Sequence, residues 1–482
     1  MKKLIRLPQL SCIVLLLSCT TDVQTADPVK TPTASLPAPV ATLPAVTPAV
    51  DGVSRMYQAF AITGETSVTP KTDFVLPVPT QKADISALRT TGSTATLNYI
   101  AIGGSLTAGY RNQGLTRESQ MTAYPNLIAN QMGLVNFKTP LFETSEANGS
   151  GGVVFDGTAD LPSWKQVTNQ TAILNKAPMS LKKYNGGDFQ NISAPFLAKD
   201  GFQSNYGESS QSLAANSFVE RLFKDTDMIP ANTGYSPFTP TLETVFKKQK
   251  ADIYTVEFGF DGMINNIMTQ RNVSFEGFML GSYQASLDSK GKVIGKPVWL
   301  LMPSQFLRFP YFQFFTYDKL IKKLGVSEIL IGTGNDTYTE KANKDCVFLP
   351  TKRILDAINN KTPLDIVPDV EVMDATECSG DWKSKEHIGY NKIIETVAKE
   401  KNIPLVDLQA VYDKVLNGQY ISEDGFKIDP SFPKGNFFSQ DGIYPSAIGQ
   451  AVIANEVIKV MNKAYQTKIP LVNITEFARK LN

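Results

Sequence analysis

The stretch Leu97-Asn-Tyr-Ile-Ala-Ile-Gly-Gly-Ser-Leu106 decides the fold of this 482-residue chain. A short apolar run is typical of a buried strand, and the two glycines that end it are typical of a tight turn. Residues 124–132 then have helical spacing, with Pro125 at a position that suits the first turn of a helix. A strand, a turn and a helix in this order indicate a parallel sheet covered by helices.

Further apolar segments continue this alternation. Strands are predicted at residues 253–258, 328–331 and 404–408, and helices at residues 314–324, 385–401 and 446–463. Right-handed crossovers place the carboxyl ends of such strands along one edge, where ligands bind. We therefore predict an α/β protein, a three-layer α/β/α sandwich with a parallel sheet over residues 95–470, and Ser105 at the carboxyl end of its first strand.

Two segments fall outside this pattern. Residues 51–94 are predicted to form an N-terminal extension, and residues 262–313 a large insertion near the edge of the site. The second segment is rich in aromatic residues towards its end, around residues 306–315. Aromatic side chains are enriched at protein interfaces, so this part is either an interface or ordinary core packing.

The N-terminus predicts how the chain is targeted. A basic start precedes an apolar stretch at residues 10–17, which is too short to span a bilayer. The next residues, Leu16-Leu-Ser-Cys19, resemble the lipobox of bacterial lipoproteins. This resemblance implies that residues 1–18 are removed and that acyl chains such as palmitate are attached to Cys19; a plain secretory signal is the alternative. Several acyl chains on one residue anchor a protein stably.

Residues 19–50 are predicted to form a tether. They are rich in Pro, Thr and Ala and contain no aromatic residue. This composition favours an extended chain without internal hydrogen bonds. Such a tether lets the folded part stand away from the membrane or reach a neighbouring complex.

The composition excludes several classes of function. The formal net charge is +1, and no basic cluster indicates binding to nucleic acid. The chain has one histidine and four cysteines, so neither a zinc site nor another metal or cofactor is expected. Cys346 and Cys378 are the only cysteines after Cys19. We expect either a disulfide between them or two buried thiols.

Three ordered blocks resemble the SGNH, or GDSL, hydrolases. Ala101-Ile-Gly-Gly-Ser-Leu-Thr-Ala-Gly-Tyr110 resembles the first block, and Ala123-Tyr-Pro-Asn-Leu-Ile-Ala129 the helix that follows it. Gly435-Asn-Phe-Phe-Ser-Gln-Asp-Gly-Ile-Tyr-Pro-Ser-Ala-Ile-Gly-Gln-Ala-Val-Ile-Ala-Asn-Glu456 resembles the last block. With the lipobox, the combination is most similar to SGNH-type lipoproteins of Bacteroidetes. The resemblance covers residues 95–465 and implies a flavodoxin-like sandwich and serine-esterase chemistry.

The resemblance also assigns the catalytic positions. The nucleophile Ser105 and the acid Asp441 are kept. The histidine that would act as general base is replaced by Tyr444, and the asparagine that would stabilise the oxyanion is replaced by Asp261 in Gly259-Phe-Asp-Gly262. The site therefore resembles an esterase that has lost its base and an oxyanion donor.

Two further positions depart from the pattern of the family. The acid that precedes the nucleophile is replaced by Gly104. The oxyanion glycine is matched by Phe196 in Asn191-Ile-Ser-Ala-Pro-Phe196. A phenylalanine at this position is expected to disturb or block the oxyanion hole.

These replacements should bring hydrolysis close to background. Tyrosine has a reference pKa near 10 and stays protonated at neutral pH, so Tyr444 cannot replace imidazole. Losing the base of such a triad costs roughly 10⁴–10⁶ in turnover, and losing one oxyanion donor roughly 10²–10³. An ionised Asp261 would in addition repel the oxyanion.

Three alternatives would restore chemistry. The single histidine, His387, lies at the start of a predicted helix and is interpreted as a surface or capping residue. Gly332-Thr-Gly-Asn-Asp336 resembles the missing third block, but it stands at the place of the next loop of the family. Asp261 and Asp441 are two carboxylates of one cleft and would suit acid–base chemistry on a sugar. We expect none of the three to act.

Two functions follow. The first is an outer-membrane lipoprotein with a non-catalytic SGNH-like domain that serves as a binding or assembly component of an envelope complex. It would lie on the periplasmic face or at the cell surface, with membrane lipid and an envelope protein as partners. The alternative is an SGNH/GDSL-type serine esterase that acts on lipid or carbohydrate esters with an unusual base.

Overall fold

The computed structural model describes residues 59–89, 96–176, 179–197, 202, 213–223, 241–269, 280–332 without 282, 339–362 without 343 and 345, and 386–481. The predictions for the signal peptide, the lipidated Cys19, the tether at residues 19–50 and Cys378 lie outside these residues.

Strands and helices alternate along much of the described chain. The strands are β1 (Ile62–Thr66), β2 (Tyr99–Gly103), β3 (Gly152–Phe155), β4 (Trp164–Val167), β5 (Ile173–Lys176), β6 (Met179–Leu181), β7 (Asn191–Ser193), β8 (Ile253–Glu257), β9 (Lys296–Leu300), β10 (Phe315–Thr316), β11 (Leu330–Gly332), β12 (Thr339–Lys341), β13 (Val347–Phe348) and β14 (Leu405–Val406). The helices are α1 (Ser105–Ala108), α2 (Arg117–Met121), α3 (Tyr124–Gln131), α4 (Leu213–Glu220), α5 (Leu242–Lys248), α6 (Phe260–Thr269), α7 (Tyr317–Leu324), α8 (Lys352–Asn360), α9 (Glu386–Glu400), α10 (Leu408–Leu416), α11 (Ala447–Tyr465) and α12 (Ile474–Leu481). Short 3-10 helices lie at Ser86–Leu88, Thr144–Glu146, Phe306–Arg308 and Pro310–Gln313.

A five-stranded parallel sheet forms the centre of the fold. Its order is β14-β9-β8-β2-β7, and each neighbouring pair is parallel. All five residues of β2 and all five of β8 are buried, so both faces of the sheet are covered at its centre. Helix α11 packs against β9 and β14. The predicted α/β class with a parallel sheet is confirmed.

The predicted insertion at residues 262–313 contains one strand of this sheet. β9 lies between β8 and β14 as an inner strand. It escaped the sequence pattern because its apolar run continues directly into the buried residues Leu301 and Met302, so no polar turn marks its end. The segment is therefore partly core sheet and not wholly an insertion.

The predicted strand at residues 328–331 also differs from expectation. It forms β11, which is only three residues long and pairs antiparallel with β12. It does not join the parallel sheet. A short apolar run shows that a strand forms but not which neighbour it pairs with, and here the partner is the next strand along the chain.

The aromatic stretch around residues 306–315 is core. Phe309, Tyr311 and Phe312 are each 0% exposed. The Tyr311 hydroxyl donates to the Ala59 carbonyl at 2.7 Å, and its backbone N–H donates to the Gly442 carbonyl at 3.1 Å. Of the two interpretations of this stretch, the structure shows core packing. Through Tyr311, the stretch contacts both the N-terminal extension and the last motif block.

The described part of the N-terminal extension, residues 59–89, packs on the domain. β1 pairs parallel with β4. Further along, the rings of Phe74 and Phe477 meet edge to face at 5.9 Å, and Asp84 forms a backbone bridge with Lys468. This part of the extension therefore belongs to the folded unit.

Candidate functional site

Three neighbouring strands end at the same level of the sheet. Gly103 at the end of β2 pairs in register with Glu257 at the end of β8 and with Ser193 at the end of β7. The loops that follow these strands therefore start side by side at the carboxyl edge. Each loop carries one of the positions that the sequence assigned to the nucleophile or to the oxyanion hole.

The carboxylate of Asp261 lies between two of these loops. Its Oδ2 atom accepts a hydrogen bond from the backbone N–H of Ser105 at 2.7 Å and from that of Phe196 at 3.0 Å. Backbone N–H groups beside a nucleophile are the usual donors to the oxyanion of a tetrahedral intermediate. A side-chain oxygen of the protein thus occupies the position where an oxyanion on Ser105 would be held.

Phe196 keeps its backbone donor despite its bulk. Its φ is +60°, a left-handed conformation that favours glycine and is uncommon for a bulky residue. The N–H also points at Ser105 Oγ, at 3.3 Å. The ring packs against that of Tyr110 with centroids 5.1 Å apart. Phenylalanine therefore does not remove the donor that the glycine of the family would supply.

Tyr444 holds the second oxygen of the same carboxylate. Its hydroxyl donates to Asp261 Oδ1 at 3.1 Å, and it is also in hydrogen-bond contact with the Ser105 side chain. Tyr444 is 0% exposed, and burial raises its pKa well above the ordinary value. A neutral phenol donates protons and does not accept one from serine, so Tyr444 does not replace the missing base.

Gly104 makes the position of Asp261 possible. A Cβ atom at residue 104 would lie 2.4 Å from Asp261 Oδ2. The backbone at Gly104 has φ −87°, which does not itself require glycine. The glycine before the nucleophile and the aspartate in the hole are therefore sterically linked.

Asp441 serves the loop that carries Tyr444. Its Oδ1 atom accepts from Ser439 Oγ at 2.8 Å and from the backbone N–H groups of Ile443 and Tyr444 at 2.8 and 2.9 Å. Its Oδ2 atom accepts from the N–H of Gln113 at 3.1 Å. Asp441 therefore closes a turn and joins it to the loop after α1. It reaches the serine only through the backbone of Tyr444.

Sequence reasoning missed Glu257, the last residue of β8. It is 3% exposed, and burial together with the nearby charge of Asp261 raises its pKa to about 8. The Thr107 hydroxyl donates to its Oε2 atom at 3.1 Å. The available signal was one carboxylate inside the apolar run at residues 253–258. At neutral pH Glu257 holds a proton, and the negative charge is favoured on Asp261, where three donors converge.

The remaining predictions concern residues that the structure describes only in part. His387 lies in the first turn of α9, and its side chain is outside the described part of the chain. Cys346 is 1% exposed and disulfide-bonded, whereas its predicted partner Cys378 lies outside the described residues. Residues 333–336 of the block that resembles the third motif also lie outside them. The pairing of the two cysteines stays a prediction.

Within the described residues, no group of three or more His, Cys, Asp or Glu side chains is placed to hold a metal ion. No helix in the same part of the chain is both long and apolar enough to cross a bilayer.

The comparison of the chain with protein-family models, curated proteins and solved structures found no match. The chain is thus an α/β protein with a serine-centred cluster at the carboxyl edge of its sheet. Its membership of the SGNH hydrolases stays a prediction from the residues that carry the resemblance.

Proposed function

We propose that this chain is an outer-membrane lipoprotein with an SGNH-hydrolase-like, non-catalytic domain that serves as a binding or assembly component of an envelope complex. The single observation that carries the non-catalytic part is the contact of Asp261 Oδ2 with the N–H groups of Ser105 and Phe196. A side-chain oxygen of the protein itself therefore occupies the position that the oxyanion takes in an esterase.

Occupancy alone opposes catalysis. A substrate carbonyl would have to displace a buried carboxylate from two charge-assisted hydrogen bonds, which are about twice as strong as neutral ones. A carboxylate that stayed nearby would repel the charge that develops on the oxyanion. Both effects act on the transition state, so they lower turnover and not only binding.

Activation of the serine is also lacking. Ser105 Oγ is in hydrogen-bond contact with Asp261 and Tyr444. Asp261 is the only ionisable base among these contacts of the described residues, but it cannot fill the oxyanion position and leave space there for a substrate. The esterase alternative with an unusual base would require this carboxylate to move away and still accept the proton of Ser105.

The order of the site residues supports an SGNH-like three-layer sandwich. Ser105 follows β2, Phe196 follows β7, Asp261 follows β8 and Asp441 precedes α11. This is the order in which the blocks of the family stand in the sequence. The register of β2, β7 and β8 brings the first three together at one edge.

The proposed location rests on the lipobox-like segment at Cys19 and on the Pro/Thr/Ala-rich residues that follow it. Acyl chains at Cys19 would supply the contact with outer-membrane lipid, on the periplasmic face or at the cell surface. With the serine site closed, we propose that contacts with an envelope protein are made by other surfaces of the domain.

A pair of hydrolysis measurements tests the non-catalytic assignment. The unmodified protein should hydrolyse short p-nitrophenyl esters no faster than its Ser105→Ala variant. The double variant Tyr444→His, Asp261→Gly restores a base and empties the oxyanion position, and it should gain esterase activity that Ser105→Ala removes. Turnover by the unmodified protein that is lost in Ser105→Ala would instead support the esterase alternative.

A further inference from the structure

Hydrogen-bond donors surround the Asp261 carboxylate in the way that donors of a binding site surround a small anion. Its two oxygens accept from two backbone N–H groups and one phenol, which belong to three separate segments of the chain: the turn after β2, the turn after β7 and the loop before α11. Donor–acceptor distances of 2.7, 3.0 and 3.1 Å are all within the normal range. Asp261 itself is 7% exposed.

We propose that the pocket beside Ser105 is a binding site for one carboxylate group, which Asp261 supplies from within the chain, and that the same donors bind a small free carboxylate when Asp261 is removed. The proposal rests on the closed site of the proposed function and deepens it, because it names the chemical class that these donors accept.

The donors are fixed without the help of Asp261. The N–H of Ser105 belongs to the first residue of α1, directly after the central strand β2. The segment before Phe196 is held by β7, and its ring packs against Tyr110. Tyr444 is placed by the turn that Asp441 closes. Removing the Asp261 side chain should therefore take the acceptor from the N–H of Ser105 and leave Phe196 and Tyr444 with only the Ser105 side chain as a partner, which costs free energy and favours a replacement anion.

The dimensions of the pocket favour a planar anion. Gly104 approaches Asp261 Oδ2 so closely that even one added methyl group would lie 2.4 Å from the oxygen. On the other side, the Tyr444 ring stands between those of Tyr110 and Phe260, at 5.1 and 5.3 Å. A carboxylate of one or two carbons fits the volume that an aspartate side chain leaves, whereas tetrahedral sulfate or phosphate carries two more oxygens.

The test uses the full chain with Asp261→Gly and, as the matched control, Asp261→Asn. The control keeps an oxygen in front of the N–H groups of Ser105 and Phe196, so it should not need a ligand. Sodium formate and acetate are compared with sodium chloride and sulfate at equal ionic strength. Formate should raise the melting temperature of Asp261→Gly by roughly 2–4 °C near saturation, because a ligand that binds only the folded state stabilises it. The unmodified protein and Asp261→Asn should not respond.

Amide NMR locates the binding. Formate should shift the ¹⁵N–¹H signals of Ser105 and Phe196 in Asp261→Gly, and sulfate should not. Equal responses of all three proteins, or equal responses to formate and sulfate, would overturn the proposal. So would a folded Asp261→Gly that ignores formate.

The outcome can be read even where a variant folds poorly. If Asp261→Gly folds only when formate is present, the proposal is supported. If it does not fold at all, Asp261→Ala takes its place. A second measurement then uses the unmodified protein, in which the Ser105 and Phe196 amide signals should shift with pH as one carboxyl group ionises. Amide signals that do not shift with pH would overturn the proposal. A reactive Ser105 would contradict the proposed function and leave formate binding unaffected, so the two failures are distinguishable.

Discussion

At the scale of single residues, Gly104 and Asp261 share one small volume between the ends of β2 and β8. The absence of a Cβ at residue 104 leaves space for the carboxylate, and the carboxylate in turn satisfies the N–H of Ser105. The effect of a substitution at either residue on stability should therefore depend on the residue at the other position.

A double-mutant cycle tests this link. Gly104→Ala should destabilise the protein by about 1–3 kcal/mol, because the new methyl group would push Asp261 Oδ2 from its two donors. In an Asp261→Gly background the same change should cost much less, because the clashing oxygen is absent. Urea denaturation of the four proteins gives the coupling energy. Equal costs in both backgrounds would show that the two residues do not compete for space.

At the scale of elements, the carboxyl end of β8 and the start of α6 place two buried carboxyl groups, Glu257 and Asp261, near one another. Burial raises the pKa of both groups, and the charge of Asp261 adds to the shift of Glu257. At neutral pH the folded state therefore holds a proton on Glu257 that the unfolded chain releases, and the stability of the fold depends on pH.

The sign of this dependence follows from Glu257. Its pKa rises from 4.5 to about 8 on folding, so its contribution is fully present below pH 4.5 and is lost as pH rises towards 8. Glu257→Gln keeps a neutral acceptor for Thr107. Between pH 4.5 and 8 the variant should therefore lose less stability than the unmodified protein, by on the order of a few kcal/mol. Urea midpoints at pH 5, 7 and 8.5 should fall steeply for the unmodified protein and less steeply for the variant. Parallel curves would show that Glu257 does not carry the buried proton.

The elements also show how far the sequence could lead. Apolar runs that end in glycine predicted β2 and β8, because a strand buried on both faces needs no polar residues. The resemblance of the first and last blocks implied that Ser105, Asp441 and Tyr444 belong to one site. Tyr444 does contact Ser105, whereas Asp441 accepts from the backbone of Gln113 and Tyr444. β9 was missed because its apolar run has no polar boundary. The insertion of Asp261 between two N–H groups could not be predicted, because it depends on a backbone conformation at Phe196 that the side chain does not favour.

At the scale of the whole molecule, residues 59–89 of the N-terminal extension pack with the domain, and the proposed membrane contact is made through Cys19. Cys19→Ser should move the protein from the membrane to the soluble fraction after a carbonate wash, because it removes the proposed site of the acyl chains. Fractionation followed by immunoblotting measures the change, with Ser18→Ala as a control that keeps the cysteine. A Cys19→Ser protein that stays in the washed membrane would contradict the lipoprotein assignment.

The central claim, that Ser105 is not an activated nucleophile, is tested most directly by its reaction with a fluorophosphonate. Intact mass spectrometry of the unmodified protein after incubation should show no adduct beyond that of Ser105→Ala, because Tyr444 and not a histidine occupies the position of the base and the oxyanion position is filled by Asp261. A stoichiometric adduct on the unmodified protein that is absent from Ser105→Ala would contradict the account.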